Sequence, residues 1–477
     1  VDSPDKHLAR GFNWLGGATI VAKIIDFSTI LAVLLFLTKE QVGVASLVVS
    51  IAMVVEAFDG LGTAEALVQA QSVSRLQLDT LFWFVVGAAL LVGGLTLAAA
   101  PGIAALYGVA GMQTYFIAAA VKQPLVGAAV IPLAMMNREL QYERIAIVNV
   151  SATLAAALTR LGLAVAGTGA WAIVGGYAAS GLFILIGALI AHPFLPGLQF
   201  RMAAIRPLVR FGVRASASNI FEQIFKNIGF LLVGWFYGAA QLAVYRVASD
   251  VAMEPAMAVG TVVNRTALPV FARVSTVRDH LARSLAWSLH RLAMLVTPLM
   301  VGLVLAADPL TALLHDEQGN SYAAAALPLK LLAAAALLRV SSQLLTPLML
   351  AAGRPGTAAN LSAATLALLT VGIAIVGVTF DADTGIVAVA AVWLAVYPLL
   401  LIWGSVYLRR HWDIRVEELA QAFVAPLIAA GVMATVVKIV QRLVDGGPVV
   451  QVGVVLAAVA LTYAGLFLNA RRQPRTA

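Results

Sequence analysis

Glu222 and Lys226 stand four residues apart in NIFEQIFKNIGF (219–230), a run that otherwise reads as an apolar helix. The i, i+4 spacing puts a carboxylate and an ammonium on one helical face, where each can neutralise the other. The mixture recurs along the chain. Lys23 and Asp26 share one apolar stretch and Glu56 and Asp59 a second; Lys122 precedes Pro124, Arg160 lies further on, and Lys330 stands beside Pro328. Arg246, Asp250 and Glu254 follow at i, i+4, i+8, one stripe down a single face. Two kinds of chemistry are open to such groups. Fixed cations at Lys23, Lys122, Lys226, Arg246 and Lys330 suit an anionic ligand such as a phosphate, lysine acting as a point charge and arginine as a bidentate fork. Carboxylates at Asp26, Glu56, Asp59, Glu222, Asp250 and Glu254 suit the binding and release of a proton or Na+, because burial favours the neutral form of a carboxyl. Each carboxylate equally suits the plainer role of partner to a nearby cation.

The elements that must hold these groups are membrane spans. The chain has 477 residues, 61% of them hydrophobic and 11% charged, against about 25% charged in ordinary soluble domains. Its mean hydropathy is +0.93. Residues 80–121 carry no charge, which is enough for two spans with a break at APGIAALYGVAGM. Windows of about 20 apolar residues predict fourteen helices, near 11–37, 41–67, 79–100, 112–136, 145–167, 170–191, 211–236, 239–265, 285–307, 322–346, 357–379, 385–408, 420–441 and 449–468. Alternate loops hold the arginines, among them Arg75, Arg138, Arg144, Arg201, Arg206, Arg210, Arg354, Arg409, Arg410 and Arg415. The opposite loops hold HDEQGNSY and FDADTG, with Lys39 and Arg442 as exceptions. The positive-inside rule then puts both termini in the cytoplasm, in keeping with an even number of spans. The basic balance, formal net charge +8, reads as a topology signal and not as a nucleic-acid surface. The start VDSPDKHLARGFNW does not read as a cleaved signal peptide.

A weak internal repeat divides the chain into halves of six spans, 1–205 and 206–410, followed by an extra hairpin and tail, 411–477. A shift of 200 residues lays Gln41 on Gln241 and Ala52-Met53 on Ala252-Met253; a shift of 204 lays Pro124-Leu125 on Pro328-Leu329. Halves with an even span count share one orientation, and such repeats place a substrate path near the midplane at their interface. The charges fall mainly in the first and second spans of each half, with Lys122 and Lys330 at roughly corresponding places in the fourth and tenth. The sixth span, and the third from Thr80 onward, carry none. Intramembrane charges of this kind face a bundle interior or a water-filled cavity. Pro124, Pro255, Pro298, Pro328 and Pro347 offer weak points for rocking helices.

Several chemistries are excluded. There is no phosphate loop of the G-x-x-x-x-G-K-[ST] type, no G-x-S-x-G nucleophile elbow and no H-x-x-x-H pair. With no cysteine, disulfides, thiol catalysis and Cys-ligated metals are ruled out, and no zinc site or other cofactor is expected. Asp381 and Asp383 form a D-x-D in a short outer loop, read as a solvated turn.

The run FGVRASASNIFEQIFKNIGFLLVGWFYGAAQLAVYRVASDVAMEPAMAVGTVVNRTALPVFARV (211–274) resembles the seventh and eighth spans of Wzx-type oligosaccharide flippases. These belong to the multidrug/oligosaccharidyl-lipid/polysaccharide exporter superfamily. The landmarks are Phe211-Gly212, Gly234 with Gly238, Tyr245 and Pro269, together with PLAMMNRELQYERIAIVN (132–149), GTGAWAIVGG (167–176) and PLMLAAGRPG (347–356). The resemblance implies an all-α polytopic membrane protein of about fourteen transmembrane helices, two pseudo-symmetric six-helix lobes around a central cavity plus a C-terminal helix pair. It implies no enzyme but a flippase in a bacterial inner membrane, carrying an undecaprenyl-diphosphate-linked oligosaccharide to the periplasmic leaflet. It further implies coupling to H+ or Na+, and a polysaccharide polymerase and chain-length regulator as neighbours. By span and depth, Lys23, Lys226 and Arg246 match basic residues that contact the diphosphate in such flippases. A drug/cation antiporter and a lipid II flippase of the same superfamily are the nearest alternatives. A membrane glycosyltransferase or polymerase would need a larger outer loop or an acidic metal motif.

Overall fold

The computed structural model describes residues 4–274, 278–444 and 446–472; the side chains of 4–13, 15, 59, 61, 214, 215, 217, 218, 262, 264–266, 268–270, 272–274, 278, 279, 416 and 467–472 lie outside that description. Among the described residues there are helices and no strands. In chain order they are α1 (Pro4–Val33), α2 (Lys39–Glu56), α3 (Thr63–Gln69), α4 (Arg75–Tyr107), α5 (Phe116–Arg138), α6 (Tyr142–Val165), α7 (Trp171–Ala191) and α8 (Met202–Val274). There follow α9 (Arg278–Leu313), α10 (Ala326–Ser342), α11 (Leu345–Ala351), α12 (Pro355–Thr379), α13 (Ala382–Trp412), α14 (Val416–Leu443) and α15 (Pro448–Arg472). The protein is an all-α, multi-pass membrane protein.

Twelve stretches among the described residues are long and apolar enough to cross a membrane. The two that separate this number from fourteen have physical causes. The expected second span, 41–67, is not continuous: α2 carries Lys39, Glu40 and Glu56, and a short turn with Gly60 and Gly62 at φ of 68° and 65° separates it from α3. The seventh and eighth spans run together as Asn219–Thr261, broken only at Gly238, whose φ of 80° and ψ of 177° no residue with a Cβ adopts readily. Local signals start the helices elsewhere. Thr38 with Gln41 and Ser74 with Gln77 form capping boxes at the heads of α2 and α4, and Gly108 ends α4 in the left-handed conformation.

By their contacts the residues divide into two compact units, 1–243 with 316–318, and 244–315 with 319–477. Within the first, α4 packs on α5, α5 on α7, α6 on α7 and α1 on α6. Within the second, α9 packs on α10, α10 on α13 and α12 on α13. Counted in spans, third on fourth, fourth on sixth and fifth on sixth recur, so the repeat that is faint in residue identity is plain in helix pairing. The last two helices, α14 and α15, pack on α9 through a core of Ala306, Met433, Val437 and Val455. Leucines such as Leu90, Leu91 and Leu95 of α4 remain largely exposed, as a lipid-facing surface requires.

Gly238 and Gly94 give a direct comparison. A Cβ at either meets nothing within 4 Å, so only backbone strain separates them. Gly238→Ala should cost about 1–3 kcal/mol and lower the thermal midpoint in detergent, whereas Gly94→Ala, inside α4, should leave it unchanged or raise it.

Candidate functional site

The first unit contains a cavity of about 380 Å³ lined by α1, α2, α5, α6 and α7. Helical spacing brings its polar residues to one place. Thr19, Lys23 and Asp26 share a face of α1, while Asn149, Thr153 and Arg160 share a face of α6. Lys122 enters from α5, and Tyr177 and Ser180 from α7. Small residues make room for the long cations. A Cβ at Gly181 would sit 2.7 Å from Lys122 Cγ, and one at Gly176 would sit 2.8 Å from Arg160 Cβ.

Carboxylates from neighbouring helices hold two of the cations. Arg160 donates to Asp26 at 2.9 Å, tying α6 to α1, and Lys122 Nζ lies 2.7 Å from Glu56 Oε1, tying α5 to α2. The second contact is close enough for an ion pair without the alignment of a hydrogen bond. Lys122 Nζ also lies 3.5 Å from the centroid of the Tyr177 ring, a cation–π contact that compensates part of its desolvation. Lys122 and Arg160 are buried; Lys23 and Asp26 open more widely into the cavity. Among the described residues at the cavity, the cations Lys23, Lys122 and Arg160 stand with the carboxylates Asp26 and Glu56. The arrangement therefore offers an anion a site with cations already oriented, and offers a proton or cation two carboxylates whose protonation would release their partners.

The other expected site residues are distributed differently. Glu222 and Lys226 pair with each other at 2.6 Å on one exposed face of α8. In the second unit Arg246 pairs with Asp250 at 2.7 Å, and Glu254 is half-buried two turns beyond Arg246 on the same helix. Lys330 meets Asp308 of α9 at 2.7 and 2.8 Å, close to the end of that helix, with Asp308 largely exposed. It does not repeat the setting of Lys122. That setting recurs at Arg339 of α10, which is buried with its guanidinium 5.3 Å from the Trp393 ring of α13 and 3.8 Å from Met253 Sδ. The side chain of Asp59 lies outside the described residues. Arg339 lies inside the expected tenth span, 322–346, but does not stand out there, because no neighbouring charge at helical spacing draws notice to it. Asn149, Thr153 and Ser180 carry no charge to draw notice. Among the described residues no cluster of three or more His, Asp or Glu side chains can hold a metal ion.

A bundle of lipid-spanning helices with paired charges around a cavity suits the handling of a charged ligand within a membrane. The chain belongs to the polysaccharide biosynthesis protein family, which it matches over residues 30–324. Among its relatives, the lipopolysaccharide biosynthesis protein WzxC of Escherichia coli (strain K12) is 24% identical over 320 residues, 65% of this chain and 64% of WzxC. The teichuronic acid biosynthesis protein TuaB of Bacillus subtilis (strain 168) is 25% identical over 61% of this chain and 59% of its own length. Those two matches span less than two thirds of the relatives. The succinoglycan biosynthesis transport protein ExoT of Rhizobium meliloti (strain 1021) is 23% identical over 91% of this chain and 86% of its own. In fold the chain is similar to the lipid II flippase MurJ in an inward closed conformation, with a TM-score of 0.72 at 13% identity over 95% of this chain and 99% of MurJ. An inward-facing multidrug resistance transporter of the MOP superfamily gives 0.62 at 12% identity over 81% and 98%. The resemblance read from the sequence is borne out at the level of the polysaccharide biosynthesis family, and the fold is shared with a transporter of the MOP superfamily.

The inter-helix pair is open to a double-mutant cycle. Glu56→Gln and Lys122→Met should each destabilise the protein in denaturant unfolding from micelles. Together they should cost less than the sum, with a coupling of about 0.5–3 kcal/mol, because the double variant leaves no unmatched charge. Strictly additive losses would mean that the two residues do not act as a pair.

Proposed function

We propose that the protein flips a lipid-linked oligosaccharide, carried on undecaprenyl diphosphate, from the cytoplasmic to the periplasmic leaflet of the inner membrane for surface polysaccharide biosynthesis. Both termini are cytoplasmic in this reading, and the cycle is alternating access driven by a H+ or Na+ gradient. The observation that carries the proposal is the cationic cavity of the first unit. Three cations converge there from α1, α5 and α6, two of them anchored by carboxylates, in a volume suited to a charged headgroup and not to a whole glycan. Lys23 is the principal phosphate contact in this account, with Lys122 and Arg160 beside it. Lys226, Arg246 and Lys330, each paired with a carboxylate, are further cations that this reading assigns to the cargo's passage. Asp26 and Glu56 are the coupling carboxylates: protonation or cation binding there loosens Arg160 and Lys122 and changes the anion affinity of the cavity. Membership of a polysaccharide biosynthesis family, with a relative named as a succinoglycan transport protein, supports an exported glycan as cargo. A polymerase and a chain-length regulator are the partners that this role would place next to the protein.

The test is made in a strain lacking the gene. Its lipid extract should accumulate undecaprenyl-diphosphate oligosaccharide as surface polysaccharide disappears. Wild type and Lys23→Arg should restore export, while Lys23→Ala and Lys226→Ala should insert normally and fail. Unchanged glycans with heightened sensitivity to cationic drugs would instead identify an antiporter.

A further inference from the structure

Three basic residues at helix ends of the first unit are engaged, while Arg201, Arg206 and Arg210 are exposed. Arg138 donates to the carbonyls of Leu67, Ala70 and Gln71, Arg144 to that of Ala191 at 2.9 Å, and Arg75 lies 3.1 Å from Asp79. One cluster in the second unit differs. Arg354, just before α12, and Arg409, Arg410 and Arg415, at and beyond the end of α13, are all exposed. Among the described residues none of the four has a carboxylate partner, although Asp413, Glu417 and Glu418 are near in sequence. Arg354 instead donates to the Tyr407 hydroxyl at 3.0 Å, with its guanidinium 5.9 Å from the Tyr407 ring and 5.8 Å from that of Trp412.

The aromatic rings form a ladder on α13. Trp403 stacks on Tyr407 with centroids 5.3 Å apart, and Tyr407 lies 4.2 Å from the His411 ring. Next to it runs an exposed apolar strip, Leu399, Ile402, Trp403 and Val406, at the i, i+3, i+4, i+7 spacing of one helical face. Arg410 continues that face. From Leu399 to Arg410 the helix rises about 16 Å, close to the half-thickness of an about 30 Å hydrocarbon core. One face of α13 thus passes, over the depth of one leaflet, from acyl-chain surface through interfacial aromatics to exposed arginine. Tryptophan and tyrosine favour the headgroup level, and arginine clusters at a span end attract anionic lipid.

We propose that this end of α12 and α13 is a docking surface for an anionic phospholipid. Its phosphate sits at Arg354, Arg409 and Arg410, and an acyl chain lies along Leu399, Ile402, Trp403 and Val406. The site is independent of the cargo and of the cavity of the first unit.

The test titrates the purified full chain with phosphatidylglycerol or phosphatidylcholine and counts bound lipid by native mass spectrometry. Wild type should favour phosphatidylglycerol by about tenfold or more. Arg354→Gln/Arg410→Gln and, separately, Arg409→Gln/Arg410→Gln should weaken phosphatidylglycerol about fivefold for each arginine removed and leave phosphatidylcholine unchanged. Arg442→Gln, at the other end of α14, should keep the wild-type preference. Equal binding of the two lipids by wild type, an unchanged preference in both double variants, or an equal loss in Arg442→Gln would overturn the proposal. Arginine-dependent binding of a polyglutamate peptide without lipid preference would also overturn it, and would assign the surface to an acidic protein.

Discussion

An ionised side chain in a lipid-spanning helix costs about 2.5–3.5 kcal/mol at the bilayer centre, and it persists only where a counter-charge, an aromatic face or water receives it. The first unit meets that condition by joining helices distant in the chain. Asp26 reaches Arg160 across 134 residues, and Glu56 reaches Lys122 while Tyr177 covers the same ammonium. Each pair ties two helices together, so the packing of α1 on α6 and of α2 on α5 carries the electrostatics with it. Removing one partner alone leaves a buried charge unmatched, which is far more costly than replacing both. The cavity lies beside these pairs, with a third cation, Lys23, at its wall.

The two units show one packing scheme serving different chemistry. Third-on-fourth, fourth-on-sixth and fifth-on-sixth pairings recur, and so does a cation on the fourth helix of each set facing an aromatic ring on the sixth. In the first unit that cation is Lys122, coupled to a carboxylate beside a polar cavity. In the second it is Arg339, set among Trp393, Met253 and the fully buried Tyr245 and Tyr397.

Much of this was legible from residues alone. The apolar windows located the spans, and the Glu222–Lys226 and Arg246–Asp250 pairs follow from i, i+4 spacing without any tertiary information. Gly238, noted as part of a glycine pair, turned out to be where the long helix breaks, because only glycine holds a φ of 80° with ψ near 180°. The partners of Lys122 and Arg160 were not legible, since they lie on other helices and nothing in local spacing encodes which spans touch. The same gap made Lys330 look equivalent to Lys122. Both stand near a proline early in their helices, yet the Lys330–Asp308 contact is made close to the end of α9 with Asp308 largely exposed. The uncharged wall of Asn149, Thr153 and Ser180 is common in sequence and acquires meaning only through the cavity it faces.

The central claim is that the first unit holds a water-filled, anion-attracting cavity that receives the cargo's diphosphate. The chain has no cysteine, so Asn149→Cys and Ser180→Cys each introduce a single thiol at the cavity wall. The measurement is the rate at which anionic and cationic methanethiosulfonates modify these thiols in membranes, with and without diphosphate-linked lipid. The account predicts faster reaction with the anionic reagent, a preference reduced by Lys23→Ala, and protection by the lipid. Unreactive thiols, or faster modification by the cationic reagent, would contradict it.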